Sequence, residues 1–412
     1  MGEGHEVTAV IVGANLTGGR AAEALRAEGF AGRVVLIGAE LERPYERPPL
    51  SKGLLTGKVE EDEVFLRPAD FYAEQSIELR LGRRASGLDT GARSVTLDDG
   101  ESIHYDTLLI ATGAAPRRLD IPGEVLDGVH YLRTLADARR IRDHLATAER
   151  VVVIGMGFIG AEVAASAREL GRAVIALEAG DLPLYGALGR EVAERLAAIH
   201  RDRGVDLRTG VTVTEIQGRE RVARVVTNDG AIACDVVVIG VGVTPEVGWL
   251  VGSGVEIDGG VVTDAECRAS LPGVFAAGDV AKQFHPRYGR HLLIEHFDHS
   301  GNQGVAAARS MLGLPVPDVP LPYFWSDQYD LNLQVAGLTT GHDAVVFRGT
   351  VESGSWSAFY LRRGALIAAL SVNRFRDFSA ARRILTQGVT VEAAQLADER
   401  VELRSLLPRA GR

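Results

Sequence analysis

Two cysteines, Cys234 and Cys267, are the only thiols in 412 residues. They form neither a C-x-x-C nor a C-x4-C pair, so spacing offers no redox-active dithiol, and both read as small packing residues. No cluster of His and Cys has metal-ligand spacing, so no metal site is expected. No apolar run approaches the roughly 18 residues of a membrane span. Positive charge is in deficit: the net charge is −10, which removes the global electrostatic case for nucleic acid or an anionic membrane surface. The start, Met1 to Val7, is polar and acidic, so no cleaved leader is expected and the cytoplasm is the expected compartment. A hydrophobic content of 46% with 24% charged residues fits a globular enzyme, long enough for two or three domains.

Two Gly-rich strand-to-helix turns stand out against this background. The first runs Val10-Ile11-Val12-Gly13-Ala14-Asn15-Leu16-Thr17-Gly18, and the second Val153-Ile154-Gly155-Met156-Gly157-Phe158-Ile159-Gly160. Each follows an apolar strand and opens an Ala-rich helical pattern, read as Arg20 to Glu28 in the first case and Gly160 to Leu170 in the second. A strand follows each helix, Arg33 to Ile37 and Arg172 to Leu177, and each is trailed by an acid, Glu40 or Glu178. Hairpin patterns come next, at Val95 to His104 and at Val211 to Cys234. Each half then closes on a buried strand ending in a Gly turn, at Gly113 and at Gly242. The second half therefore reads as an approximate duplication of the first. Val261 to Asp264 and Val274 to Val280 match nothing in the second half and read as strands returning to the first. After a Pro-rich linker at 313–322, four strand patterns and two helical stretches form a third, α+β domain. The fold class is α/β: a discontinuous dinucleotide-binding domain, 1–113 with 243–322, split around a second one, 114–242, and followed by 323–412.

The second turn carries the complete G-x-G-x-x-G spacing. Its glycines permit the tight turn, the approach of a pyrophosphate and close helix packing, while the helix start offers N–H groups and the positive dipole end. Glu178 is placed to accept from the ribose hydroxyls and to repel a 2′-phosphate, which favours NADH over NADPH. In the first turn Asn15 replaces the middle Gly, and its amide is expected to donate to a pyrophosphate. Lys52, after the stiff loop Arg43 to Pro49, is a cation suited to the N5 and O4 edge of a flavin. Glu162, two residues past Gly160, pairs naturally with it. Asp279, after Gly278 at a strand end, suits a ribityl hydroxyl.

The strings Arg47-Pro48-Pro49-Leu50-Ser51-Lys52, Leu109-Ile110-Ala111-Thr112-Gly113, Tyr131-Leu132-Arg133-Thr134, Ala276-Ala277-Gly278-Asp279-Val280 and Phe324-Trp325-Ser326-Asp327-Gln328 resemble those of the FAD-containing, NADH-dependent ferredoxin reductases of the putidaredoxin reductase type. The resemblance covers nearly the whole chain. It implies FAD and NADH as cofactors and a [2Fe–2S] ferredoxin as partner, with a cytochrome P450 or an aromatic-ring dioxygenase served indirectly. It implies no metal, nucleic acid or membrane partner, and a monomer or homodimer. The implied FAD positions lie in the first turn (Gly13, Asn15, Leu16, Thr17, Gly18), at Glu40, and in the Pro-rich loop (Arg47, Pro49, Lys52). They continue at Ala85, at Ala111-Thr112-Gly113, at Arg133, at Gly278 and Asp279, and in Glu295-His296-Phe297, with Trp325 packing near the flavin. The implied NADH positions are Gly155, Gly157, Phe158, Ile159, Gly160, Glu162, Glu178 and Gly242. Lys52 and Glu162 take the catalytic role of orienting and tuning hydride transfer to the flavin, after which two single electrons go to the ferredoxin.

Three departures from that family accompany the resemblance. Asn15 replaces Gly. Phe297 and His299 stand where Trp and Asn are common. Leu182 and Gly186 stand where relatives carry phosphate-holding Arg residues. Arg374, Arg376, Arg382 and Arg383 are candidate basic residues for an acidic ferredoxin. The alternatives are an NADH-dependent flavin oxidase or disulfide-type reductase, which needs a reactive Cys, and a low-turnover redox-sensing flavoprotein.

Overall fold

The computed structural model describes residues 7–408. The acidic segment at residues 1–6 lies outside the described residues, as do residues 409–412. The chain divides into two compact units. One comprises Met1–Pro48, Glu60–Ala115 and Val243–Pro320, the other Pro49–Val59, Pro116–Gly242 and Leu321–Arg412.

In the first unit the apolar strand Thr8–Val12 is buried along its whole length. It occupies the centre of a five-stranded sheet in the order Val274–Ala276, Thr107–Ile110, Thr8–Val12, Arg33–Gly38, Ile77–Leu81. Every pairing is parallel. Strands of such a sheet are covered on both faces, so they read as continuous apolar runs rather than alternations. Ile11, Leu36 and Leu109 face the helices Leu16–Ala27 and Phe297–Met311. Val10, Val35 and Leu108 face Leu97 and Ile103 of a three-stranded antiparallel sheet. The first helix begins at Leu16 rather than Arg20 because Asn15 caps it. Gly18 and Gly19 are weak helix formers, and packing against the helix Phe297–Met311 overrides that weakness. An added Cβ on Gly304 of that helix would lie 2.4 Å from the Thr17 carbonyl.

The second unit repeats the order of four of these strands in Val205–Thr209, Ala173–Glu178, Arg150–Ile154 and Val236–Ile239, and its outer strand Val129–Tyr131, beside Val236–Ile239, comes before them in the chain; all pairings are parallel. The strand that returns from the late part of the chain, Val274–Ala276, closes the first sheet beside Thr107–Ile110. Val261–Thr263 instead pairs with Ala281–His285 in a small separate sheet.

The same unit contains an antiparallel sheet in the order Tyr323–Gln328, Leu331–Gly337, Ala365–Val372, Ser355–Arg362, Ala344–Thr350. The helix Phe375–Gln387 covers one face through Phe378, Ile384 and Leu385. The other face packs Leu333, Val335, Trp356 and Tyr360 on Leu188, Val192 and Leu196, the last two from the helix Arg190–Asp202. Four of these strands follow the apolar pattern of the sequence. The fifth, Tyr323–Gln328, does not, because its inward positions are Ser326 and Gln328.

Arg348, on the strand Ala344–Thr350, ties the C-terminal segment down. Its side chain is 3% exposed. It donates to Asp377 Oδ2 at 3.0 Å and to the carbonyls of Asp398 (2.7 Å) and Val401 (2.8 Å). Replacing one partner of a buried ion pair costs about 3–5 kcal/mol. Arg348→Leu is therefore expected to lower the thermal midpoint and to expose residues 393–407 to limited proteolysis. An unchanged digestion pattern would contradict this.

Candidate functional site

In the first unit the turn after Thr8–Val12 is pressed against the end of the neighbouring strand. A Cβ on Gly13 would lie 2.0 Å from the Ala111 carbonyl, and Gly13 has φ +127°. One on Gly18 would lie 1.9 Å from the Gly13 carbonyl. Asn15 fastens this turn. Its Nδ2 donates to the Ala111 carbonyl at 2.6 Å, and its Oδ1 accepts from Gly18 N at 3.2 Å. The amide thus pins the turn to the strand end through one of its two hydrogens. Leu16 and Thr17 lie in the first helical turn, where backbone N–H groups lack intrahelical acceptors. These are the donors a pyrophosphate uses.

A cleft opens beside this turn, lined by Gly13, Asn15, Glu40, Arg47, Ala85 and Thr112, with Arg83, Arg84, Glu246 and Trp249. Glu40 is held in place by Arg47 Nη2 at 2.8 Å and by the Tyr45 hydroxyl. Burial opposes the Arg47 charge, but Tyr45, Glu40 and Asp279 outweigh it and raise its pKa. Thr112 Oγ1 donates to the Glu246 carbonyl at 2.8 Å, and Gly113 follows with φ +70°. Gly278 packs against Thr17, where an added Cβ would sit 2.5 Å from Thr17 Oγ1. Asp279 accepts from Ser300 Oγ at 3.0 Å. Burial pushes His296 down to about 4 and His299 to about 3, so both are neutral at pH 7. Glu295 is exposed, and Phe297 is half-buried at the start of its helix.

In the second unit the turn after Arg150–Ile154 is open. A Cβ on Gly160 would collide with the Gly155 carbonyl at 1.9 Å, whereas one on Gly157 would meet nothing within 4 Å. The middle Gly thus leaves unfilled space at the start of the helix Phe158–Glu169, which is what a pyrophosphate approach requires. Glu178 stands at the mouth of the turn, accepting from Met156 N at 2.9 Å and Gly180 N at 2.8 Å. Ile159 is 43% exposed, and Phe158 meets Phe324 edge-on at 4.8 Å. Gly242 has φ +101°. Arg133 precedes the helix Leu135–Thr147, its backbone N–H donating to Asp137 at 3.2 Å. Trp325 stacks on Tyr323 with centroids 6.2 Å apart.

Lys52 and Glu162, read from the sequence as a pair, are one. Lys52 Nζ lies 3.1 Å from Glu162 Oε1, and Glu162 is 4% exposed. Ser51 Oγ donates to Glu162 Oε2 at 2.5 Å and Ser326 Oγ to Oε1 at 2.6 Å. Burial pushes the Glu162 carboxyl above the usual carboxylate range, against the pull of Lys52, Ser326 and Ser51. The Lys52 backbone N–H is bound to the Pro49 carbonyl at 3.1 Å.

Several lining groups escaped the sequence reading. Tyr45, Ser51 and Ser326 sat inside strings already singled out. Arg83, Arg84 and Trp249 gave no local signal. The basic candidates divide. Arg374 spends its charge on Asp377 (2.7 Å) and Glu399 (2.9 Å), and Arg382 lies over the Tyr323 ring at 4.6 Å. Arg376 and Arg383 are exposed. Burial pushes both Cys234 and Cys267 up to about 12, which disfavours thiolate chemistry. Among the described residues no group of three or more His, Cys, Asp or Glu side chains could hold a metal, and no helix is long and apolar enough to cross a membrane.

Residues 7–304 match the pyridine nucleotide-disulphide oxidoreductase family, and residues 323–407 match the reductase C-terminal family. The ferredoxin–NAD(+) reductase component of an anthranilate 1,2-dioxygenase system from Burkholderia cepacia is 40% identical over 97% of this chain and 98% of its own length. The putidaredoxin reductase of Pseudomonas putida is 35% identical over 97% of each. Among solved structures, the covalent putidaredoxin reductase–putidaredoxin complex superposes with a TM-score of 0.94 at 34% identity, covering 98% of both chains.

The geometry of the first turn makes Asn15 a fastening residue. Asn15→Ala should cost about 1 kcal/mol through loss of the cap, and Asn15→Gly only a few tenths. Neither should increase retention of FAD on dilution. A marked gain with Asn15→Gly would mean that the side chain obstructs the turn.

Proposed function

The chain belongs to the pyridine nucleotide-disulphide oxidoreductase family, among its ferredoxin reductases, and we propose that it carries electrons from NADH through FAD to a [2Fe–2S] ferredoxin serving a cytochrome P450 or an aromatic-ring dioxygenase in the cytoplasm. The family uses FAD and a nicotinamide dinucleotide. The observation that carries the reading is the pair of five-stranded parallel sheets, each with a Gly-rich turn after its central strand and a carboxylate at or just past the end of the next one. In this reading residues 1–113 with 243–322 hold FAD, 114–242 hold NADH, and 323–412 form the C-terminal domain.

The residues of the first unit fit FAD. The uncapped N–H groups at Leu16 and Thr17 suit a pyrophosphate, Glu40 suits the adenosine ribose, and Asp279 suits the ribityl chain. Bound FAD supplies the conversion of a two-electron donor into one-electron steps. Gly157 leaves room for the pyrophosphate of NADH, and Glu178 accepts from its ribose. Glu162 and Lys52 hold opposite charges in a site with little water, where they orient the reacting rings and favour negative charge on the accepting one. Exposed Arg376, Arg383 and Phe375 (58% exposed) present a basic and apolar edge suited to an acidic partner.

Anaerobic mixing with excess NADH should bleach the flavin within seconds, and the reduced protein should then pass electrons to a [2Fe–2S] ferredoxin. Flavin that stays oxidised under these conditions would refute the reading. For the nicotinamide turn, Gly157→Ala should leave the thermal midpoint unchanged while raising KM for NADH by roughly tenfold, the equivalent of 1.4 kcal/mol. Glu178→Ala should narrow the preference of kcat/KM for NADH over NADPH. A wild type that prefers NADPH would contradict the role given to Glu178.

A further inference from the structure

Behind Glu162 runs a series of buried polar groups that the proposed function does not use. Ser326 is fully buried, and His200 and Gln328 are almost as inaccessible. Ser326 Oγ lies 2.6 Å from Glu162 Oε1, and Gln328 Nε2 lies 3.1 Å from Ser326 Oγ. His200 Nε2 lies 3.0 Å from Gln328 Oε1, and the Tyr329 hydroxyl lies 2.8 Å from His200 Nδ1.

The direction of each bond follows from the one before it. An amide oxygen only accepts, so His200 carries its proton on Nε2. Burial pushes the imidazole down to about 4, so at pH 7 it is neutral and Nδ1 is a bare acceptor. Tyr329 must then donate to it. The Gln328 amide donates to Ser326 Oγ, which leaves the Ser326 hydroxyl hydrogen for Glu162. All four donors point the same way, and the series ends on the carboxylate.

We propose that Tyr329, His200, Gln328 and Ser326 act as a line of positioning residues that aims the Ser326 hydroxyl at Glu162 and keeps Glu162 ionised beside Lys52. An amide does not hand on a proton, so the line orients and does not conduct. Its far end is anchored. Tyr329 occupies left-handed backbone space (φ +59°) in the two-residue turn between Tyr323–Gln328 and Leu331–Gly337. For a bulky residue that conformation needs outside support. The support comes from His200 and from Arg203, which lies over the Tyr329 ring at 5.2 Å and pairs with Asp330. Lys52 faces Glu162, and Arg168 and Arg203 face Tyr329.

The proposal rests on the role given above to Lys52 and Glu162, and its test separates the two. The ionisation of Glu162 is followed in the holoenzyme by infrared titration of its carboxyl band, identified by its loss in Glu162→Gln. The rate of flavin reduction by NADH is followed across the same pH range. Removing a hydrogen bond to a charged group shifts an ionisation by about one to two pH units. Ser326→Ala should raise the Glu162 midpoint by about that much. His200→Phe, which keeps the ring volume but removes both nitrogens, should raise it by a smaller amount in the same direction. The double variant should be shifted no further than Ser326→Ala alone, because both changes interrupt one line. Circular dichroism and flavin content identify any variant that has failed to fold. Gln328→Met, which replaces the amide with a side chain of similar length, then takes its place. A midpoint that does not move in folded variants, or shifts that add in the double variant, would overturn the proposal. A midpoint that moves while the pH dependence of flavin reduction stays put would uphold the line and remove Glu162 from hydride transfer.

Discussion

A carboxylate withdrawn from water needs protein donors, and the arrangement around Glu162 is organised by that need. Stripping an ion of its hydration costs several kcal/mol unless charge and hydrogen bonds replace the lost water. Here the replacements come from distant parts of the sequence: Lys52 and Ser51 from the Pro-rich loop, and Ser326 from a strand beyond the second sheet. The loop, the helix Phe158–Glu169 and the strand Tyr323–Gln328 are thus held to a common geometry by one side chain. Ser166, on the same helix, reinforces the join by donating to the Ser51 carbonyl at 2.8 Å. The rigid prolines before Lys52 make sense in this light, since a freely moving loop would lose entropy each time the pair formed.

Much of the architecture was legible because parallel strands buried on both faces leave a plain signature. Val151 to Ile154 and Val236 to Ile239 are unbroken apolar runs, and the structure pairs them side by side. The Lys52–Glu162 pair was legible as chemistry: an isolated cation after a stiff loop and an acid at a helix start explain each other. Other features depend on contacts far apart in the chain. Nothing local in Ser326-Asp327-Gln328 marks an inward-facing strand, because its polar side chains are stabilised by Glu162 and His200, distant in sequence. The fastening role of Asn15 was hidden for a related reason. Its spacing within the turn was clear, but the acceptor that captures its amide, the Ala111 carbonyl, lies 96 residues away. Arg374 reads as a free basic residue until Asp377 and Glu399 are seen beside it.

The two Gly-rich turns share a position in their sheets and differ in fastening. The first is sewn to the neighbouring strand by the Asn15 amide, whereas the second has an unobstructed middle Gly with open space above it. A loop already held in its binding shape asks little ordering of a ligand, and such preorganisation lengthens residence. Under the proposed function the flavin stays through many turnovers while the nicotinamide leaves after each one. Asn15 then stiffens the turn of the ligand that stays, and Gly157 leaves room at the turn of the one that comes and goes.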